Sequence, residues 1–382
     1  MIKKLILLVP LLLGTALLFA EGEQETGKID YLTLTWDELI EEAKKESALT
    51  LSTSQADQFW KDAAQDFKTA YEIDITVAVE DADTVVQKII ADKDTEIGTI
   101  DAVLISNGMV EQTIAANVFY GPLLDSVPNS ASLDSKLSQR QQGVFTKGYL
   151  VPIYRSQVGF LYDSQKLSEP PQTWLELSEW ISANPGQFAF CEPGNGDSGL
   201  AFVQMVVAYL GGGLEQYKDD DSLNQEKLEN WDAAWEWLRD TKSSVTMTAT
   251  DTDAIQRLNQ GTITLAVAWE KDVRSSLQQN TLSSAAKFYV PKMGLPGGGD
   301  SIGVPGNAPN KAAALLFCAY LVDQEAQLKM NESLGHYLAR TDIQPTVPFI
   351  SEEVRQKFGI DWMAAPYLDY IKQEFGSRVA TD

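Results

Sequence analysis

The sequence predicts an α/β protein split into two lobes, each a mixed, mostly parallel sheet flanked by helices. Three observations carry this. Between residues 48 and 105, short apolar strands alternate with helices, the pattern of a parallel sheet covered on both faces. The segment 151–177, VPIYRSQVGFLYDSQKLSEPPQTWLEL, runs from β-branched and aromatic residues into Pro170-Pro171 and then a helix start. The chain has 382 residues, 44% of them hydrophobic, more than one compact core holds.

The elements follow in order. Thr35 opens a helix with Leu39, Ile40 and Ala43 on one face and Lys44 and Lys45 in its last turn, where cations suit the helix dipole. A strand over 48–54 enters a small polar loop, followed by a helix over 57–71 and a strand over 72–79. A helix over 82–92 and a strand over 100–105 complete the run. Ligands sit beyond the carboxyl ends of such strands, so the loops 52–57, 80–83 and 106–109 are candidate binding positions. Farther on, the proline pair stops regular structure, and Thr173 with Glu176 three residues later forms a capping box. A helix over 174–183, a strand over 187–191 and an apolar helix over 200–210 come next. An acidic surface loop over 219–227 precedes a helix over 230–240 carrying Trp231, Trp235, Trp237 and Leu238, whose spacing suits packing on its own lobe. A helix over 251–260 and a buried strand over 261–269 lead to Trp269-Glu270-Lys271-Asp272 and a helix over 273–279. A turn over 294–300, a strand over 301–305, one helix over 310–327 and amphipathic helices over 352–358 and 365–375 finish the chain.

Two stretches carry chemistry. The run GNGDSG at 194–199 fits a dinucleotide fingerprint, contains the G-D-S-G of a serine nucleophile, and also reads as a turn. Pro193 ahead of it, and a strand that is not the first of its domain, argue against the dinucleotide. The nucleophile needs a histidine base, and the single histidine, His336, lacks partner signals. A structural turn and a ligand-facing one remain, the second with Asp197 and Ser198 as polar contacts. At the end of the 261–269 strand, Trp269 and Glu270 pair an aromatic with a carboxylate, which suits a cationic or hydroxylated small molecule; core packing is the alternative for Trp269.

Composition excludes other classes. With 30 Lys+Arg against 54 Asp+Glu the net charge is −24, so nucleic acid is repelled and no such partner is expected. Lys3 and Lys4, an apolar run over 5–19, Ala20 and then acidic residues form a secretory signal peptide, too short for a spanning helix. Leu18 at the −3 position leaves the cleavage site open, and no cysteine follows to take a lipid anchor. Cys191 and Cys318 lie in apolar runs and read as buried thiols, although export permits a disulfide. With no Cys/His cluster, nucleophile elbow or paired acid/base motif, neither a metal nor a catalytic site is expected.

The strings TWDELIEEAKKE, YEIDI, DAVLISNG, VPIY, LYD, PPQTWLEL and NKAAALLFCAYLVDQEAQ, in this order, resemble bacterial extracellular solute-binding proteins of ABC importers, of periplasmic-binding-protein type II. The resemblance runs from Trp36 to about Phe375. DADTVVQKI, LLDSVPN and PPQTW are most similar to a thiamine-type subgroup. It implies two lobes joined by two hinge crossovers: 1–20 signal peptide, 21–30 flexible lead, 31–152 first part of lobe 1, 153–290 lobe 2, and 291–382 the return crossover with C-terminal helices bracing both. It implies an exported, periplasmic, monomeric receptor that closes over one small solute and delivers it to an inner-membrane ABC permease, without a cofactor. Ser54, Gln55, Asp57 and Asn107 would contact the ligand from the first lobe, Tyr154 from the hinge, and Asp197, Ser198, Trp269 and Glu270 from the second. A thiamine-like or other cationic or aromatic solute suits this set, as would a polyamine or a sugar. Ferric ion does not, because Tyr367 and Tyr370 do not resemble the adjacent tyrosine pair of ferric-binding relatives. An exported sensor module, or a hydrolase using Ser198, are the rival readings.

Overall fold

Local sequence sets the helix starts. Thr35 accepts the Glu38 N–H while the Glu38 carboxylate takes the Thr35 N–H at 2.9 Å, and Thr173 and Glu176 repeat this reciprocal cap at the head of Trp174–Ala183. The computed structural model describes residues 29–55 and 57–380. The expected signal peptide at 1–20, and all but the end of the lead at 21–30, lie outside the described residues.

Two sheets organise the chain. In the first, Ala48–Thr53 lies between Asp74–Val79 and Ala102–Ile105, all parallel, and Ser301–Gly303 runs antiparallel between Ala102–Ile105 and Val151–Pro152. The second is built on the long strand Tyr154–Asp163, which pairs antiparallel with Leu265–Trp269, Ala286–Tyr289, Leu295–Gly298 and Tyr337–Leu338. Phe188–Cys191 and Val245–Thr248 extend it in parallel. Each sheet has its own apolar core. Leu51, Trp60, Phe67, Leu104 and Phe317 belong to one, and Phe160, Phe188, Phe202, Trp231 and Trp235 to the other. That separation of buried apolar surface is what makes two lobes.

The chain passes between the sheets twice, side by side. It leaves the first sheet at Pro152, enters the second at Tyr154, and returns between Gly298 and Ser301. The Ile153 N–H donates to the Asp300 carbonyl at 3.0 Å, tying the two crossings together. A Cβ on Gly299 would stand 1.9 Å from the Tyr154 carbonyl oxygen, so only glycine lets these strands approach so closely.

Four local expectations change. The turn over 294–300 contains a strand, Leu295–Gly298, recruited by pairing with Tyr154–Asp163. The helix over 310–327 is two helices, Lys311–Leu321 and Gln324–Leu334, because Asp323 caps a new start by accepting the Glu325 N–H at 2.9 Å. The helix expected from 200 begins at Asp197, and the one expected from 273 begins at Glu270. Cys191 and Cys318 are buried, unbridged thiols, and burial pushes each up to about 12. Trp231 and Trp235 are core residues. Among the described residues, no helix is long and apolar enough to cross a membrane.

Candidate functional site

The parallel strands aim their carboxyl ends at the crossovers, and the second sheet presents Trp269 from the other side. Between them lies a cavity of about 290 Å³. Ser54 and Gln55 reach it just past Ala48–Thr53, while Ser106 and Asn107 reach it from the junction of Ala102–Ile105 with the helix Asn107–Ala115. Tyr154 and Asp300 enter from the two crossings. Asp197, Asp251 and Lys271 enter from the first turns of three second-lobe helices, Asp197–Leu210, Asp251–Asn259 and Glu270–Gln278. A larger depression, about 590 Å³, lies over residues 219–226. It is walled by one surface loop whose Asp220 is already engaged by Lys227 at 2.5 Å and by the Tyr367 hydroxyl.

The cavity is acidic. The Tyr154 hydroxyl donates to Asp300, and Gln55 Nε2 donates to the same carboxylate at 2.9 Å. Asp197 accepts from Gln142 Nε2 at 2.6 Å, and Asp251 accepts from the Ser198 hydroxyl at 2.5 Å. Lys271 pairs with Asp272 at 3.1 Å, so the lining ammonium has its counter-ion and Asp197, Asp251 and Asp300 remain in excess. Burial pushes Asp251 up to about 6 against the Ser198 hydrogen bond, and Asp197 and Asp272 add to the rise. Burial likewise raises Asp197 and Asp300. Three carboxyls that resist ionisation together form a site that an incoming cation relieves. Behind Tyr154 stands His336, ring centroids 3.8 Å apart; burial lowers its imidazole to about 3, with the Lys271 and Arg274 charges adding to the fall.

Of the residues expected from sequence, Ser54, Gln55, Asn107, Tyr154, Asp197 and Trp269 line this cavity. Three do not. Asp57 is exposed at the head of Gln58–Tyr71, turned to solvent by the start of that helix. Ser198 is fully buried and spends its hydroxyl on Asp251, acting as that residue's support. Glu270 faces the opposite side of its helix, where it is held by Arg355 at 2.5 and 2.6 Å. The loop 80–83 is likewise absent from the lining. The sequence reading missed Ser156, Asp251, Lys271 and Asp300, and had Ser106 only within the candidate loop 106–109. Asp251 and Lys271 could have been found, since each is a charged residue in the first turn of a helix start; Asp300 had no local signal.

A hairpin from the first lobe closes one side. Gln142 and Gly143 both take positive φ, 45° and 77°, giving the two-residue turn between Arg140–Gln141 and Val144–Phe145. Gln141 anchors it to the Gly299 carbonyl at 2.9 Å, while Gln142 reaches Asp197 of the second lobe. A second inter-lobe contact joins Glu111, one turn beyond Asn107, to Asp369 of Ala365–Phe375 by a side-chain hydrogen bond. Burial, that bond and the Asp369 charge push Glu111 up to about 7, with Lys372 opposing. Lys372 also pairs with Asp369 at 3.2 Å. A carboxyl raised on closure stabilises the closed form fully below its usual value of 4.5 and loses that contribution as pH rises through about 7. Small-angle scattering of the ligand-free chain should therefore show an expansion step near pH 7 that Glu111→Gln removes. The cleft aspartates add a separate step nearer Asp251's value of about 6. Persistence of the upper step in the variant would exclude Glu111 as its source.

Comparison with known proteins agrees with this architecture. The profile of a family described as bacterial extracellular solute-binding protein matches residues 62–356. Protein YnjB of Escherichia coli (strain K12) is 23% identical over 240 residues, 61% of each chain. The matched stretch thus spans less than two thirds of that relative. Among solved structures, the spermidine/putrescine ABC transporter substrate-binding protein PotD of Streptococcus pneumoniae superposes with a TM-score of 0.69 at 13% identity, covering 87% of this chain and 99% of that one. The periplasmic binding protein AfuA of Actinobacillus pleuropneumoniae, with fructose-6-phosphate bound, gives 0.65 at 15%, covering 88% and 99%. At such identities the likeness is one of fold.

Proposed function

This chain belongs to the bacterial extracellular solute-binding proteins, and from that premise we propose that it is the substrate-binding component of an ABC importer that captures a small cationic solute, thiamine-like ring cations among its members. The observation that carries the reading is the inter-lobe cavity with three carboxylates, Asp197, Asp251 and Asp300, in excess beside Trp269. A cation gains from the carboxylates and from an aromatic face within the same small volume. In this reading residues 31–152 form the first lobe, 153–290 the second, and 291–382 return and brace both. The lobes close about the paired crossings by hinge motion, and the exported, periplasmic, monomeric receptor hands its solute to an inner-membrane permease.

Thermal unfolding of the ligand-stripped chain with thiamine, polyamines, sugars and ferric ion tests this. A ligand that binds only the folded state adds RT ln(1 + [L]/Kd), about 2.7 kcal/mol at a hundredfold excess over Kd. The reading expects a response to cations that is lost in Asp251→Asn. A response confined to neutral sugars would overturn it.

A further inference from the structure

The cavity is more specific than its net charge, because its buried side-chain atoms without partners are acceptors. Gln55 Nε2 donates to Asp300 Oδ2 at 2.9 Å and to the Tyr154 oxygen at 3.3 Å. Asp300 Oδ2 is an acceptor here, taking the Tyr154 hydroxyl as well, so this contact fixes which way the amide points and turns Oε1 away from Asp300. That oxygen is buried and has no hydrogen bond among the described residues. Asn107 is 7% exposed, and its Oδ1 is likewise buried without a partner. Gly298 keeps the space in which the Asn107 amide sits: a Cβ there would stand 2.7 Å from Nδ2. Both residues line the same cavity as Asp197, Asp251 and Asp300.

Two orphaned amide oxygens beside three carboxylates define what the ligand must bring. A buried acceptor that stays unsatisfied on binding costs free energy that a donor on the ligand removes. A quaternary ammonium without other donor groups carries positive charge but no N–H, so it answers the carboxylates and leaves the amide oxygens bare. A primary or secondary ammonium, or an amidinium, answers both. Resting on the cationic reading above, we propose that the solute is an N–H-bearing cation, its N–H groups received by Gln55 Oε1 and Asn107 Oδ1 and its charge by the aspartates. Gln55 and Asn107 are thereby the residues that separate ammonium from quaternary cations.

Isothermal titration of the ligand-stripped full chain tests this with matched probes. One set is putrescine, spermidine, agmatine and benzamidine; the other is the N-permethylated putrescine dication and tetramethylammonium, which carry neither N–H nor O–H. Sites built to receive a hydrogen-bond donor reject analogues that lack it by large factors, so at least one N–H cation should bind about a hundredfold more tightly than either quaternary probe. Gln55→Met should reduce that preference about tenfold or more, chiefly by weakening the N–H cation. Equal or tighter binding of the permethylated dication or tetramethylammonium would overturn the inference while leaving the cationic reading intact. An unchanged preference in Gln55→Met would overturn Gln55's role. Binding by neither set would overturn both readings together.

Discussion

Arg355→Ala is expected to destabilise the chain by about 3–5 kcal/mol, the cost of stranding a buried charge. Glu270 is 2% exposed and Arg355 8%, and one guanidinium nitrogen meets both carboxylate oxygens at 2.5 and 2.6 Å. The same guanidinium lies 3.7 Å from the Tyr337 ring centroid. Burial holds the Glu270 carboxyl above its ordinary value even with Arg355 pulling it down. Without Arg355 only the Arg274 charge and the Gln157 N–H oppose burial, and Glu270 is driven to take a proton or open its surroundings. The loss, read from chemical denaturation, should therefore shrink as pH falls, because protonation then relieves the stranded charge. Adding Glu270→Gln should recover part of it, since neighbours in one ion pair are not additive. Equal losses at pH 5 and pH 8 would show that lost packing, not charge, dominates.

Gly199→Ala is expected to cost about 3 kcal/mol, the upper range for forcing atoms into a filled core. Gly199 sits in the first turn of Asp197–Leu210, and a Cβ there would stand 1.6 Å from the Cys191 carbonyl oxygen and 2.5 Å from its carbon. Backbone cannot swing aside as a side chain does, so helix and strand must separate. Asp197 and Ser198 would move with the helix, and the Ser198–Asp251 contact with them. Gly194→Ala is the control: nothing lies within 4 Å of its Cβ position, and the change should fall within about 0.5 kcal/mol. Similar unfolding midpoints for the two variants would refute the packing argument. Gly199 thus accounts for the end of the GNGDSG run by close packing of a helix on a strand, with neither a dinucleotide nor a nucleophile.

Helix starts marked by a reciprocal cap were legible in the sequence. Thr35 with Glu38 and Thr173 with Glu176 announce helix starts because each cap is completed within four residues. Asp323 carried an equally local signal, a short acidic side chain that receives the Glu325 N–H, but the continuous apolar stretch before it hid the break. Leu295–Gly298 could not be read, because two of its four residues are glycines and it is a strand only through its partners. The loops 52–57 and 106–109 were legible as lying at the inter-lobe cavity because parallel strands fix where their carboxyl ends point.

By itself the sequence determined the two-lobed α/β plan, the alternation of strands and helices between residues 48 and 105, and the cavity-lining first-lobe positions Ser54, Gln55 and Asn107. Hydrophobic periodicity, caps and chain length act over short distances or over the whole chain, and one sequence records both. Only the tertiary structure decided which neighbour faces the cavity. Trp269 and Lys271 line it while Glu270 between them is sent to Arg355, and Asp197 lines it while Ser198 is buried behind. On a helix, successive side chains point about 100° apart, so adjacent residues part company according to what packs on each side. Asp300, 146 residues from the Tyr154 hydroxyl it receives, is in the site only because the two crossings lie together.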